Sequence, residues 1–155
     1  MSRTGRIKKR IAKPDEVYHS PLVGKFINHL MQRGKKTTAE KIFYSSLALL
    51  SSDKTESFEF FKKALDNVMP RIEVRPKRLG GATYQVPTQV RRDRSEALAM
   101  RWIILSARSK KGRPMSVKLS EELKEAALGT GTAIKRKETA HRMAEANKAF
   151  AHFRW

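Results

Sequence analysis

The sequence contains no cysteine in 155 residues. That absence excludes disulfides and any thiolate metal site, and it fits a cytosolic-type compartment. Long apolar runs are also missing. Leu47–Leu50 and Trp102–Leu105 are the longest candidates, far short of the roughly 18 residues of a spanning helix. The basic N-terminus has no apolar stretch after it, so it does not read as a secretory signal. Acid is the third scarcity. Fifteen Asp and Glu face 34 Lys and Arg, giving a formal net charge of +19 and a pI near 10.7. Such an excess repels itself and weakens the compact state. A polyanion is therefore the expected partner. With no membrane segment, that partner is expected to be nucleic acid.

Catalytic patterns are absent too. His19, His29, His141 and His152 show no metal-binding spacing. Glu121 and Glu122 are neighbours, which point apart on a helix and cannot share a proton. "GKKT" at 34–37 resembles the end of a phosphate loop but has His29 and Lys36 where that loop needs Gly and Ser/Thr. "GTGT" at 129–132 follows a helix, whereas a dinucleotide fingerprint follows a strand. No catalytic residue, metal or cofactor is expected.

What is present is a helical pattern. Hydrophobic residues make up 39% of the chain, enough for one domain that buries roughly two-thirds of its unfolded surface. Leu22, Phe26, Ile27 and Leu30 share one helical face, and Gly34 ends that helix. Thr37 with Glu40 has the spacing of a capping box, opening a second helix through Ala39, Ile42, Phe43, Leu47 and Leu50. Phe58, Phe61, Ala64, Leu65 and Val68 mark a third, stopped by Pro70. Asp93 with Glu96 repeats the capping-box spacing. It opens a central helix with Leu98, Trp102 and Leu105 on one face and Ile103, Ile104 and Ala107 close by, apolar over a wide arc. Leu119, Leu123, Ala126 and Ala127 give a fifth helix, ended by Gly129. Thr132 caps a sixth, with Ala140, Met143, Ala144 and Phe150 in phase. The expected fold is mainly α: one domain, residues 15–155, with about six helices.

Between the third and fourth helices the period changes to two. Ile72 and Val74 alternate with Glu73 and Arg75, Tyr84 and Val86 alternate with Gln85, and Gly80-Gly81 suits a tight turn. Residues 71–88 are therefore expected to form a protruding β-hairpin, since its tip offers little but Leu79 to bury. Residues 1–14 hold no acid and almost nothing apolar, and read as a flexible basic arm.

Basic clusters recur between these elements. They are Arg3, Arg6, Lys8, Lys9, Arg10 and Lys13 in the arm; Lys35-Lys36; Arg75, Lys77 and Arg78; Arg91, Arg92 and Arg94; Lys110, Lys111 and Arg113; and Lys135-Arg136-Lys137. A single charge run is usually a solvated face. Six without acidic compensation, lying in loops and at helix ends, can converge on separate phosphates of a folded RNA. At the C-terminus Phe150, Phe153 and Trp155 can stack on bases or meet a protein, with Phe150 expected inward.

These residues resemble the family of bacterial small-subunit ribosomal protein seven. The resemblance covers essentially the whole chain. It is carried by Ser20, Leu22, Phe26-Ile27, Gly34-Lys35-Lys36, Ile42-Phe43 and Ser46, by "GGATYQVP", and by "HRMAEANKAFAHFRW". Two departures are "GTGT", where many relatives have an Asn-containing turn, and Pro76 in the ascending strand. The resemblance implies six helices with an extended hairpin and primary binding to the 3′ major domain of 16S-type rRNA. It also implies nucleation of the small-subunit head. The clusters above, with Lys118 and Arg142, are expected to bind rRNA. Lys77, Arg78, Leu79, Gly80, Gly81, Ala82 and Tyr84 are expected near exit-site tRNA and the mRNA path. Implied protein neighbours are small-subunit proteins nine and eleven, with no homo-oligomer. Two other readings are an architectural DNA binder and a phosphotransfer enzyme. A folded junction RNA that outcompetes duplex DNA, and the absence of nucleotide binding, would exclude them.

Overall fold

A computed structural model describes residues 12–153. Six helices and one two-stranded antiparallel sheet follow in the order α1 (Pro21–Leu30), α2 (Lys36–Ala48), α3 (Lys54–Val68), β1 (Ile72–Leu79), β2 (Ala82–Gln89), α4 (Arg92–Ser109), α5 (Met115–Ala127) and α6 (Gly131–Ala146). A 3-10 helix, Lys148–Phe153, closes the described chain. No described helix is long and apolar enough to cross a membrane. The six helices and the hairpin after the third match the expectation.

The core begins with three rings, one from each of the first three helices. Phe26, Phe43 and Phe61 are fully buried, with centroids 5.1–5.3 Å apart. Two of the pairs meet edge to face, the arrangement that an aromatic quadrupole favours. Helix α5 is the hub, packing against α2, α3, α4 and α6. Leu119, Leu123, Ala126 and Ala127 are its buried face, as the spacing predicts.

Helix α4 buries the Ile103, Ile104 and Ala107 side of its predicted arc but not the Leu98, Trp102 and Leu105 face. Ala99, Met100, Ile103, Ile104, Ser106 and Ala107 are buried, while Leu105 is 39% exposed and Trp102 half-buried. Small and β-branched residues let neighbouring helices approach closely, so they take the contact line and displace the bulkier side chains to its flanks. Met143 on α6, expected inward, is likewise exposed.

The expected capping boxes do not form. Helix α2 begins at Lys36 and α4 at Arg92, so Thr37 and Asp93 lie inside the first turn, and Thr132 does so in α6. The caps come from other elements instead. Glu122 of α5 accepts from the backbone N–H of Ala133 at 2.9 Å and from the Thr132 hydroxyl, closing the α6 N-terminus. Asn67 of α3 donates to the carbonyls of Ala126 and Ala127 at 3.0 and 3.1 Å, closing the C-terminus of α5. Arg108 of α4 donates to the carbonyl of Leu30 at 3.1 Å, the end of α1. Each bond satisfies groups that a helix cannot pair internally.

The hairpin turns on Gly80-Gly81, with φ of 54° and 89°. Two positive φ values make the twist of a primed turn match that of the strands. Register pairs Arg75 with Val86 and Lys77 with Tyr84. Tyr84 and Val86 therefore share one face. Val86 is buried and Tyr84 lies 5.4 Å from the Phe150 ring. Ile72 and Val74 fall on the opposite face, and Ile72 is 40% exposed. Their alternation marks a strand correctly but does not mark its inward side. Pro76 sits opposite Gln85 without breaking the ladder, as an edge strand permits. Most of the ribbon rests on α6 and the 3-10 helix, leaving Gly80-Gly81 as the exposed tip.

Candidate nucleic-acid interface

Helices α4 and α6 organise the cations. At the start of α4, the Arg71 N–H donates to His141 Nε2 of α6 at 3.0 Å, and the Ser95 hydroxyl donates to the Pro70 carbonyl at 2.8 Å. Past the end of α4, Lys110 reaches Glu122 at 3.2 Å, the same carboxylate that caps α6. The start of α6 thus lies by the end of α4, and its later turns by the start of α4. The two helices run antiparallel, about 27 Å along the 18 residues of α4.

One pole is the hairpin root. Glu73 accepts from Arg75 at 2.6 Å and from Arg94 at 2.8 Å, joining β1 to the first turn of α4. Burial alone would raise the Glu73 pKa. The two guanidinium hydrogen bonds outweigh it and hold the carboxyl below the usual glutamate value. Arg91 is exposed at the helix start, and Arg92 pairs loosely with Glu96 at 3.4 Å. Lys137 donates to the Asn67 carbonyl at 2.5 Å. Burial, with Lys137 and Arg71 nearby, holds His141 below the ordinary histidine value, keeping Nε2 an acceptor. Arg142 is exposed beside it.

The second pole is the α4–α5 turn. Lys111 is exposed, while Arg113 pairs with Glu121. Lys110 bridges the fully buried Glu122 and, at 2.9 Å, Glu125. Burial opposes its charge, but the two carboxylates prevail and raise its pKa above the usual lysine value. Gly131, at φ +94°, lies where a Cβ would come within 2.9 Å of Glu125. The "GTGT" turn is thus shaped by this knot of charge. Lys118 on α5 is half-buried. Lys135 and Arg136 project from the first turns of α6, exposed and without a carboxylate partner among the described residues.

The third group joins α1 to α2. Lys35 is exposed, and Lys36 meets Glu40 at 3.5 Å. Burial, then Arg101 and Lys25, lowers the His29 pKa, so the cationic field reaches α1. Lys13 is exposed, and its carbonyl crosses α1 at Gly24, where a Cβ would come within 2.4 Å. Arg3, Arg6, Lys8, Lys9, Arg10 and Trp155 lie outside the described residues.

The clusters are therefore partly compensated, contrary to the sequence impression of uncompensated charge. Most of these pairs are exposed, worth about 0–1 kcal/mol each, so a phosphate can displace them. Lys110 differs because its partner is buried. Arg71, Arg101 and Arg108 were missed. Each lies at an element's edge or within a helix, away from the runs that attract attention. Among the described residues no group of three or more acidic or histidine side chains could hold a metal.

The chain matches the family described as Ribosomal protein S7p/S5e over residues 2–148. It is 55% identical over 154 residues to the small ribosomal subunit protein uS7 of Thermosipho africanus, covering 99% of both chains. The uS7 protein of Chloroflexus aurantiacus is 55% identical, with 99% of this chain and 98% of the relative covered. That of Kosmotoga olearia is 53% identical over 156 residues, covering both chains fully. A basic helical scaffold with tertiary-capped helix ends and a tight hairpin thus belongs to the ribosomal protein S7p/S5e family, whose relatives are structural proteins of the small subunit rather than enzymes.

Proposed function

We propose that this chain is a primary rRNA-binding protein. It takes the 3′ major domain of 16S-type rRNA and nucleates the small-subunit head. The observation that carries this reading is the antiparallel α4–α6 pair with cations at both ends and between them. Phosphates from separate RNA strands can then be met at once by one rigid body, and shape supplies the selectivity that charge lacks. Arg91, Arg92, Arg94, Arg142, Arg75 and Lys137 form one anchor. Lys111, Arg113, Lys118, Lys135 and Arg136 form the other, with Lys13, Lys35 and Lys36 alongside. Lys110 has the smallest share, because Glu122 and Glu125 already hold it. The arm cations Arg3, Arg6, Lys8, Lys9 and Arg10 add further phosphate contacts.

The hairpin tip, Lys77 to Ala82 with Tyr84 behind it, reaches toward exit-site tRNA and the mRNA path. Small-subunit proteins nine and eleven are the protein neighbours of the chain as a whole. Two variants separate the roles. Replacing Lys111, Lys135 and Arg136 with glutamate is expected to weaken binding of a 3′ major domain transcript and spare folding. Replacing residues 78–83 with Asn-Gly closes the ribbon on the Lys77–Tyr84 pair. That variant is expected to keep head assembly and alter tRNA retention. Unchanged transcript affinity in the first, or lost assembly in the second, contradicts the assignment.

A further inference from the structure

We propose that the cleft between the middles of α4 and α6 seats one unstacked RNA base, with Lys135 and Arg136 holding its flanking phosphates. This deepens the rRNA-binding reading and rests on it. The cleft is shallow and open, with a volume of about 350 Å³, and is bordered by Trp102 of α4 and by Thr139, Ala140 and Met143 of α6. Trp102 is half-buried against the core, while Met143 is 52% exposed. The Thr139 hydroxyl donates to the Lys135 carbonyl at 2.8 Å. The walls thus present an indole, a thioether and methyl groups. Lys135 and Arg136 stand at the rim and no acid lines the cleft.

The chemistry fits a nucleotide. A flat apolar slot accepts a π-face of any base, and paired cations answer the phosphates on either side. A peptide occupant would need an apolar side chain flanked by acids. RNA is favoured because the cleft adjoins the second cationic pole through Lys135 and Arg136 and faces the hairpin-root pole along the same helix pair, continuous with the proposed rRNA surface. A strand anchored at both poles passes over it.

The chain has two tryptophans. Trp155→Phe leaves Trp102 as the sole indole reporter in the full-length protein. Titration with the 3′ major domain transcript is expected to quench Trp102 emission. Met143→Glu alters only an exposed side chain, so the fold survives and a thermal melt verifies it. It is expected to weaken transcript binding roughly 5- to 150-fold, the loss of one base–aromatic stack. Trp102→Leu is expected to do the same, and Trp102→Phe to retain most of the affinity. If transcript affinity is unchanged in Met143→Glu and Trp102→Leu, and Trp102 emission does not respond, the seat is wrong while rRNA binding stands. If Met143→Glu spares transcript binding but blocks a purified small-subunit protein, the occupant is a peptide and the proposal falls. Failure of the unsubstituted chain to bind the transcript overturns both readings.

Discussion

Lys110 shows how little a residue's place in a basic run says about its task. It lies in "SKKGRP", yet it neutralises Glu122, a carboxylate fully buried at the junction of α5 and α6. Lys110→Met is therefore expected to lower unfolding free energy by about 3 kcal/mol, since breaking a buried pair strands the other charge. Adding Glu122→Gln should recover part of that loss, and a double-mutant cycle by urea unfolding measures it. Mutual rescue failing to appear would mean the pair is not coupled. Because the pKa of Lys110 is raised on folding, its contribution is complete below the ordinary lysine value of 10.5 and is lost as pH climbs through the folded value. Lys111, exposed one residue on, is the cleaner probe of RNA binding.

His141 has the opposite sign. Its folded pKa lies below the ordinary 6.5, so its support for the hairpin root is complete above that value. It fades as pH falls from there through the folded pKa. Protonation removes the acceptor for the Arg71 N–H. Hydrogen exchange at Arg71 is expected to accelerate, after correction for intrinsic rate, as His141 titrates. Exchange that ignores this titration would mean the root is held by other contacts.

At the scale of elements, period and breakers made the fold legible. Leu119, Leu123 and Ala126 located α5, Pro70 ended α3, and Gly80-Gly81 located the turn. Helix starts and faces were less legible because they depend on partners distant in sequence. Thr37, Asp93 and Thr132 have plausible capping spacing. Helices α2 and α4 begin one residue before Thr37 and Asp93, and α6 borrows its cap from Glu122. Large side chains also misled: Leu105 and Met143 looked like core residues, while Ser106, polar and absent from the predicted face, is fully buried. The basic sites were legible as runs. Which cations were already paired was not, since Glu73 meets Arg94 across 21 residues. Gly24 gives a test at this scale. A Cβ there would lie 2.4 Å from the Lys13 carbonyl. Gly24→Ala is expected to keep α1, whose helical propensity rises, while dislodging residues 12–15 from its surface. Faster proteolysis near Lys13 with unchanged helical circular dichroism is the predicted result. An unaltered cleavage rate would show that the segment is held elsewhere.

At the scale of the whole molecule, +19 cannot be neutralised internally, because fifteen acids face thirty-four bases. The fold arranges much of the surplus around one antiparallel helix pair and a hairpin root, over an interior that is apolar apart from Glu122 and a few serines. Rigidity matters because separated phosphates are recognised together only if the cations cannot drift apart. The most direct test is the dissociation constant for a 3′ major domain transcript, followed across salt with duplex DNA as competitor at equal phosphate. Affinity is predicted to fall roughly 10³- to 10⁵-fold between about 50 and 200 mM salt, with the transcript retaining a clear advantage over DNA throughout. A flat salt response, or DNA that competes as well as the folded RNA, would contradict an interface built from helix-end cations matched to RNA shape.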